Sequence, residues 1–285
     1  MKNQKAIATI AIGEKYYSNW KKFCEPNWKQ YADRYGFDLV CLQQPLDTSE
    51  RARRRPTGWQ KCLILSQDFA GSYDQIVFID SDIVINACAP DITAGVPLDK
   101  VGVTENRVLS DVAFLERLYR LVPNCTKNYT PQEYYRNWGL SVDCDKWIEC
   151  GVFVLSSRFH RTIFEHVYYS YEDGKYHAEG APLSYELLKA GLVHLLDPRF
   201  NVIWPDEVLV HYPFLISPAA APKGLRARIE RKIQALVNPS SSLRTLRAAA
   251  LNTAFQSSFF LHFTGTHMEM HMLKQHATSW WDVLT

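Results

Sequence analysis

Two carboxylates stand where a buried strand runs out. In "QIVFIDSDIVINA" (residues 75–87) the apolar run Ile76–Ile79 meets Asp80, and Asp82 follows two places later. Neighbouring carboxylates repel, and each raises the cost of ionising the other. A divalent cation removes that penalty and takes both as hard oxygen ligands. The competing reading is a helix N-cap and a turn aspartate at a strand end. The triplet alone does not separate the two.

Two established chemistries use this pattern. In phosphatases of the haloacid-dehalogenase type the first Asp is the nucleophile and the second an acid/base, and "FIDSDIVI" fits locally. That mechanism also needs a downstream acidic pair for magnesium, commonly adjacent aspartates, and the chain has no Asp-Asp. The other chemistry is sugar transfer from a nucleotide donor, where a metal bridges the carboxylates and the diphosphate and stabilises the leaving group. "FFLHFTGTHMEMHMLK" (259–274) puts His262 at the end of an aromatic–apolar strand before a glycine turn. A neutral imidazole there completes a coordination sphere, and an Asp/Asp/His set favours manganese more than an all-oxygen set does. The bland reading of His262 is a structural strand-end residue.

The elements that must position these groups alternate. "KAIATIAIG" (5–13) reads as a buried first strand ending at a glycine, Tyr17–Tyr35 as a helix closed by Gly36, and "FDLVCL" (37–42) as a second strand. A helix over Trp59–Ala70 precedes the strand Tyr73–Asp80. "KVGVTE" (100–105) and "CGVFVLS" (150–156) are further strands, and the helix "PLSYELLKAG" (182–191) leads into "LVHLL". Alternation of this kind predicts an α/β fold with a mostly parallel sheet covered on both faces. Its ligands sit beyond the carboxyl ends of the strands, where Asp80 falls. The expectation is one domain over 1–285, with 106–147 and 206–257 as accessory segments, the second helical.

Composition limits the alternatives. The chain has 285 residues, 47% hydrophobic and 22% charged, which is ample for a core. A net charge of +2 is too small to make nucleic acid the main partner. Seven cysteines, odd in number and without a CxxC pair, predict reduced thiols and a cytoplasmic location. No run is long enough for a membrane span, and "AIATIAIG" is too short for a signal peptide.

At this point the chain resembles the metal-dependent GT-A glycosyltransferases, a Rossmann-like fold, and most the retaining type to which glycogenin and lipopolysaccharide galactosyltransferases belong. The likeness rests on ordered pieces: "ATIAIG", "GWQK" (58–61), "DSD", "ECGVFVLS" (149–156), "EGAPLSYELL" (179–188), "DPRFNVIW" (197–204) and "HFTG". It implies a nucleotide-sugar donor, usually a UDP-sugar, a glycan or lipid-linked glycan acceptor, and manganese or magnesium held by Asp80, Asp82 and His262. Ser81 and Gly265 belong to the same donor-binding set. Lys61 supports the aspartates or the donor, and the end of the first strand, Thr9, Ala11 and Gly13 with Tyr16, cradles base and ribose. The sequence departs from the family at Glu149 (often Asn), at Glu179-Gly180 (often Asp-Gln), and at Met268 (commonly Lys). Lys274 or a loop arginine of Arg51–Arg55 would then supply the missing positive charge.

Glu149 and Glu179 are the carboxylates placed near the transferring sugar. A retaining reaction asks only that such a group steady positive charge at the anomeric carbon, whereas an inverting one needs it as a base. Tyr129, Tyr134, Tyr135 and Trp138 are either an acceptor platform or core. In "GLRARIERKIQALV" (224–237) apolar residues recur at helical spacing with four basic side chains largely elsewhere on the wheel. Such a helix lies on an anionic membrane surface or packs on the domain. The first reading would make the protein peripheral at the inner membrane face.

Overall fold

A computed structural model describes residues 4–106, 130–140, 144–171, 178–215 and 243–274. The chain opens with β1 (Lys5–Ile10), α1 (Glu14–Asn19), α2 (Glu25–Tyr35), β2 (Phe37–Leu42) and the single turn α3 (Glu50–Arg53). It continues through β3 (Gln75–Ile79), β4 (Ile83–Ile85), β5 (Val101–Val103), α4 (Pro131–Asn137) and β6 (Val152–Leu155). Then come α5 (Ser157–Ser170), α6 (Gly180–Lys189), β7 (Val193–Leu195), β8 (Val202–Ile203), α7 (Trp204–His211), α8 (Leu243–Ser257) and β9 (Phe260–His262). A six-stranded sheet has the order β2-β1-β3-β6-β5-β7, and a three-stranded one the order β4-β9-β8. In the large sheet only β6 runs against its neighbours. The expected α/β architecture with a mostly parallel sheet is thus present, and the reversed β6 brings its start, not its end, to the edge where β3 finishes.

Local chemistry explains most of these boundaries. Gly36 (φ 69°) closes α2 in the left-handed region and turns the chain directly into β2. The helix expected over Tyr17–Tyr35 is α1 and α2 joined by a π-helical turn, Trp20–Cys24. Pro26, at the start of α2, has no N–H to continue the regular ladder, and the widened turn buries Trp20 and Cys24. The helix expected over Trp59–Ala70 is instead two 3₁₀ runs, Thr57–Ser66 and Asp68–Ser72. Every side chain from Trp59 to Leu65 is buried there. An α-helix with one apolar stripe does not serve a segment covered on all sides.

Hydrogen bonds from α2 fasten the chain that follows the two aspartates. Trp28 Nε1 donates to the Ile83 carbonyl (2.8 Å) and the Ile85 N–H donates to Asn27 Oδ1 (2.9 Å). Tyr31 bridges two further backbone groups, donating to Pro90 O (2.7 Å) and accepting from the Ile92 N–H (2.8 Å). In the small sheet His262 lies opposite Ile83 on one side and Ile203 on the other. The Phe263 N–H donates to the Asp82 carbonyl (3.0 Å).

Apolar layers cover both faces of the sheet. One contains Trp28, Val77, Val84, Trp204 and Phe260; the other Trp59, Phe78, Phe153, Phe164 and Leu187. The described ends of the 206–257 segment are built into the first layer: Val208 of α7 and Ala250, Leu251, Ala254 and Phe255 of α8 are buried in it. From 106–147, Tyr135 of α4 packs with Cys144 and Tyr185. The basic stretch 224–237 lies outside the described residues. Among those described, no helix is long and apolar enough to cross a membrane, and the cysteines are free thiols.

The Trp28 bond yields a stability prediction. Trp28→Phe keeps most of the ring but leaves the buried Ile83 carbonyl without its donor, at a cost of about 1–3 kcal/mol. Urea unfolding at neutral pH should show that loss, and an unchanged midpoint would contradict the anchoring role.

Candidate active site

Asp80 is the first residue beyond β3, and its N–H donates to the Gly151 carbonyl (2.9 Å) at the start of β6. Lys61, from the first 3₁₀ run, reaches it from beneath. The ammonium lies 2.9 Å from Asp80 Oδ1, 3.0 Å from Asp80 Oδ2, 3.0 Å from Glu179 Oε1 and 2.8 Å from the Cys150 carbonyl. Burial alone would favour loss of the Lys61 proton, but Asp80 and Glu179 outweigh it and hold the pKa above the ordinary lysine value. Glycine at 58 makes the arrangement possible, because a Cβ there would sit 2.7 Å from Glu179 Oε2. Lys61, expected from the resemblance to support the aspartates or the donor, and Glu179, expected beside the transferring sugar, form one ionic cluster with Asp80.

His262 closes the cluster on the opposite side. Its Nε2 is 3.3 Å from Asp82 Oδ1 and 3.9 Å from Asp80 Oδ2, while Nδ1 is 2.9 Å from Asn201 Oδ1. With Nδ1–H donating to Asn201, the Nε2 lone pair faces two carboxylates, the arrangement second-shell partners impose on metal-binding histidines. A lone pair there calls for positive charge between the groups, from a proton on the ring or from a cation. Burial disfavours the imidazolium, yet Asp82 and then Asp80 push the His262 pKa above its usual value. Burial likewise works against the Asp82 carboxylate, but His262 holds its pKa below the normal range. Burial raises that of Asp80 despite Lys61. Gly151 lets the ring approach the backbone closely, since a Cβ at 151 would come 2.4 Å from His262 Cε1.

The donor chemistry of this set suits a hard or borderline divalent ion. Among the described residues, no group of three or more His, Cys, Asp or Glu side chains is arranged as it stands to hold a metal ion. The reason is visible at Asp80, which turns both oxygens to Lys61. Asp82 and His262 face each other, and Asp80 would have to share a lone pair with the ion.

Two cavities are lined by residues of the expected site. One of about 330 Å³ is lined by Ala11, Gly13, Glu14, Tyr17, Gln43 and Gln44. Ala11 and Gly13 of the expected base cradle therefore line a space, whereas Thr9 is fully buried and its Oγ1 has no partner among the described residues. Tyr16 is exposed, with its ring 6.1 Å from that of His267, just beyond the turn at Gly265 (φ 69°). The other cavity, about 450 Å³, reaches Asn201, Asn106 and Glu149. Glu149 accepts a hydrogen bond from the Asn106 amide. Burial, then the charge of Asp206, pushes its pKa up to about 7. Burial, then Glu207, pushes Asp206 up to about 6.

Several expected participants stand elsewhere or serve packing. Arg55 is buried, donates to the carbonyls of Tyr168 (2.6 Å) and Tyr171, and lies over the Trp59 ring (4.2 Å). It is a structural residue, not part of a solvated loop. Arg53 pairs with Glu50 on the surface. Lys274 is exposed, with its N–H on Asn252 Oδ1 (2.7 Å). The Ser81 carbonyl accepts from Cys24 Sγ (3.4 Å). Tyr135 is buried, bonded to Lys146 O and Ser184 Oγ, so it belongs to the core reading, with Tyr134 against it and Trp138 against Tyr134. Tyr129 lies outside the described residues. Sequence reasoning missed Asn201 and Asp206. Asn201 stands in "DPRFNVIW", one of the pieces that carry the resemblance, at the end of a 3₁₀ turn just before β8.

Two outcomes follow from this geometry. Glu149 is raised in the fold, so its stabilising contribution is complete below the usual glutamate pKa and is lost as pH rises through about 7. Glu149→Gln should unfold at higher urea than the parent at pH 8, by about 2–3 kcal/mol, and the gap should close toward pH 4; a gap that is flat with pH contradicts the assignment. Gly151→Ala must displace His262, so divalent-ion binding should fall at least about tenfold while the protein stays folded by circular dichroism.

No family model matches the chain, and no curated protein does. Among solved structures it is similar to a glycosyltransferase involved in the glycosylation of the major capsid of PBCV-1, at 13% identity over 94% of this chain and 100% of that one. The TM-score is 0.48, too low to rest an argument on. It is also similar to the WbbM bifunctional glycosyltransferase in its apo structure, with 10% identity and a TM-score of 0.50. There 99% of this chain matches and spans 51% of that protein. At such identities the likeness is one of fold: the chain has a fold found among glycosyltransferases of known structure.

Proposed function

We propose that the protein transfers a sugar from a nucleotide-sugar donor, a UDP-sugar by resemblance, to a glycan or lipid-linked glycan acceptor with retention at the anomeric carbon. The observation that carries this reading is the convergence of Asp80, Asp82 and His262 just beyond the end of β3. Asp80, Asp82 and His262 would hold manganese or magnesium. When bound, the ion supplies neutralisation of the diphosphate as the sugar departs.

The chain's own residues do the rest. Lys61 fixes Asp80 and Glu179 in one place, so neither carboxylate has to be reoriented when donor arrives. Asn201 fixes the ring of His262. The 330 Å³ cavity at Ala11 and Gly13 receives the base and ribose, with backbone able to approach closely at Gly13. Glu149 faces the other cavity, where a carboxylate steadies positive charge at the anomeric carbon in its ionised form. Its pKa of about 7 then sets the acid limb of the rate. Transfer should rise as pH passes through about 7, and Glu149→Gln should lose that limb along with most of the rate.

The direct test is incubation with a panel of nucleotide sugars and manganese. Hydrolysis or transfer from one donor supports the reading; phosphate release from simple monoesters without nucleotide-sugar binding would replace it with the phosphatase. Asp82→Ala should abolish metal-dependent nucleotide binding, and His262→Ala should weaken it more for manganese than for magnesium. If both variants bind like the parent, the cluster is structural.

A further inference from the structure

The diphosphate of the proposed donor asks for positive charge and N–H donors, and most of the residues expected to supply them are occupied elsewhere. Met268 stands where the resemblance puts a lysine, and its side chain is exposed and uncharged. Of the loop arginines, Arg51 and Arg55 both reach the Tyr168 carbonyl at the end of α5, and Arg53 pairs with Glu50. Lys61 is held by Asp80 and Glu179. Among the described residues no Lys or Arg lines the 330 Å³ cavity, and its carboxylate, Glu14, accepts a hydrogen bond from Ser18 Oγ (2.6 Å).

The segment that follows His262 passes where a donor group is needed. At its start the Phe263 N–H is bound to the Asp82 carbonyl (3.0 Å). Thr266 then closes the turn, its N–H and Oγ1 both donating to the Phe263 carbonyl (2.6 and 3.1 Å), with Gly265 in the left-handed region. At the far end the His267 ring lies 6.1 Å from that of Tyr16 in α1. Glu14 and Tyr17 of the same helix line the cavity assigned to base and ribose. A diphosphate that reaches from an ion at Asp82 and His262 to a ribose over Gly13 therefore runs beside this segment.

His267 is the side chain there that can answer it. The residue is half-buried, and its ring has no hydrogen-bond or ion-pair partner among the described residues. Nε2 is the nitrogen turned inward. An orphaned lone pair is less costly to bury than an orphaned N–H. The ring therefore carries its proton on Nδ1, the outward nitrogen, which is a donor in the neutral and the charged form alike.

We propose that His267 binds the diphosphate of the donor, with Nδ1–H donating to a phosphate oxygen in place of the missing lysine. This rests on the glycosyltransferase reading and adds a residue to its donor site.

NMR titration with magnesium compares UDP, or whichever nucleoside diphosphate the donor panel selects, with the parent nucleoside. His267→Ala should weaken diphosphate binding at least about tenfold, the effect of one charge-assisted hydrogen bond, and leave nucleoside binding unchanged. His267→Lys should keep most of the parent's affinity. Diphosphate binding that is unchanged in His267→Ala, or weakened no more than nucleoside binding, overturns the proposal. In either case a parent that binds the diphosphate keeps the glycosyltransferase reading and loses only this residue. A parent that binds no nucleoside diphosphate loses the underlying reading, and the inference with it.

Discussion

The structure is organised around one buried cation. Lys61 lies under the sheet's carboxyl edge with its ammonium between Asp80 and Glu179 and against the Cys150 carbonyl. Removing one partner of a buried ion pair leaves an uncompensated charge, typically at about 3–5 kcal/mol. The 3₁₀ run, the end of β3, the start of β6 and the start of α6 are therefore bound to a single point. The two glycines nearest the cluster act in the same sense. Gly58 makes room for Glu179, and Gly151 makes room for His262.

Charge alternates across the site from this point outward. Lys61 is followed by Asp80, then by His262 and Asp82, and Asn201 ends the line with a neutral amide. Positive charge is wanted between His262 and the aspartates, which is why the ring's pKa stands above its usual value despite burial. On the far side of Asn201 the sign turns negative again with Glu149 and Asp206. The two cavities differ in charge: one has Glu14 as its single carboxylate beside Gln43, Gln44 and Tyr17, and the other has four carboxylates. A reaction that joins two different molecules has a use for such a difference.

Much of this frame was legible in the residues. Asp80 ends an apolar run, and a buried run that stops at a charge marks a strand's functional edge. "FDLVCL" matched β2 residue for residue, because Gly36 and the apolar length bound it on both sides. Elements whose form depends on tertiary cover were harder. The Trp59–Leu65 stretch is buried throughout, so it offers no periodicity to separate 3₁₀ from α. Arg55 sits in a run of arginines that reads as solvated, and only the carbonyls of Tyr168 and Tyr171, more than a hundred residues away, bury it. The reversal of β6 and the meeting of Asn201 with His262 are likewise long-range facts without a local signature.

The central claim is that Asp80, Asp82 and His262 together hold a divalent ion. Pulsed electron-spin resonance of the protein with manganese and a nucleoside diphosphate tests it most directly, because a directly bound imidazole nitrogen modulates the manganese echo. The account predicts nitrogen modulation in the parent, its loss in His262→Gln with manganese still bound, and loss of bound manganese in Asp82→Asn. Tight manganese binding without nitrogen modulation, unchanged by either substitution, would contradict it.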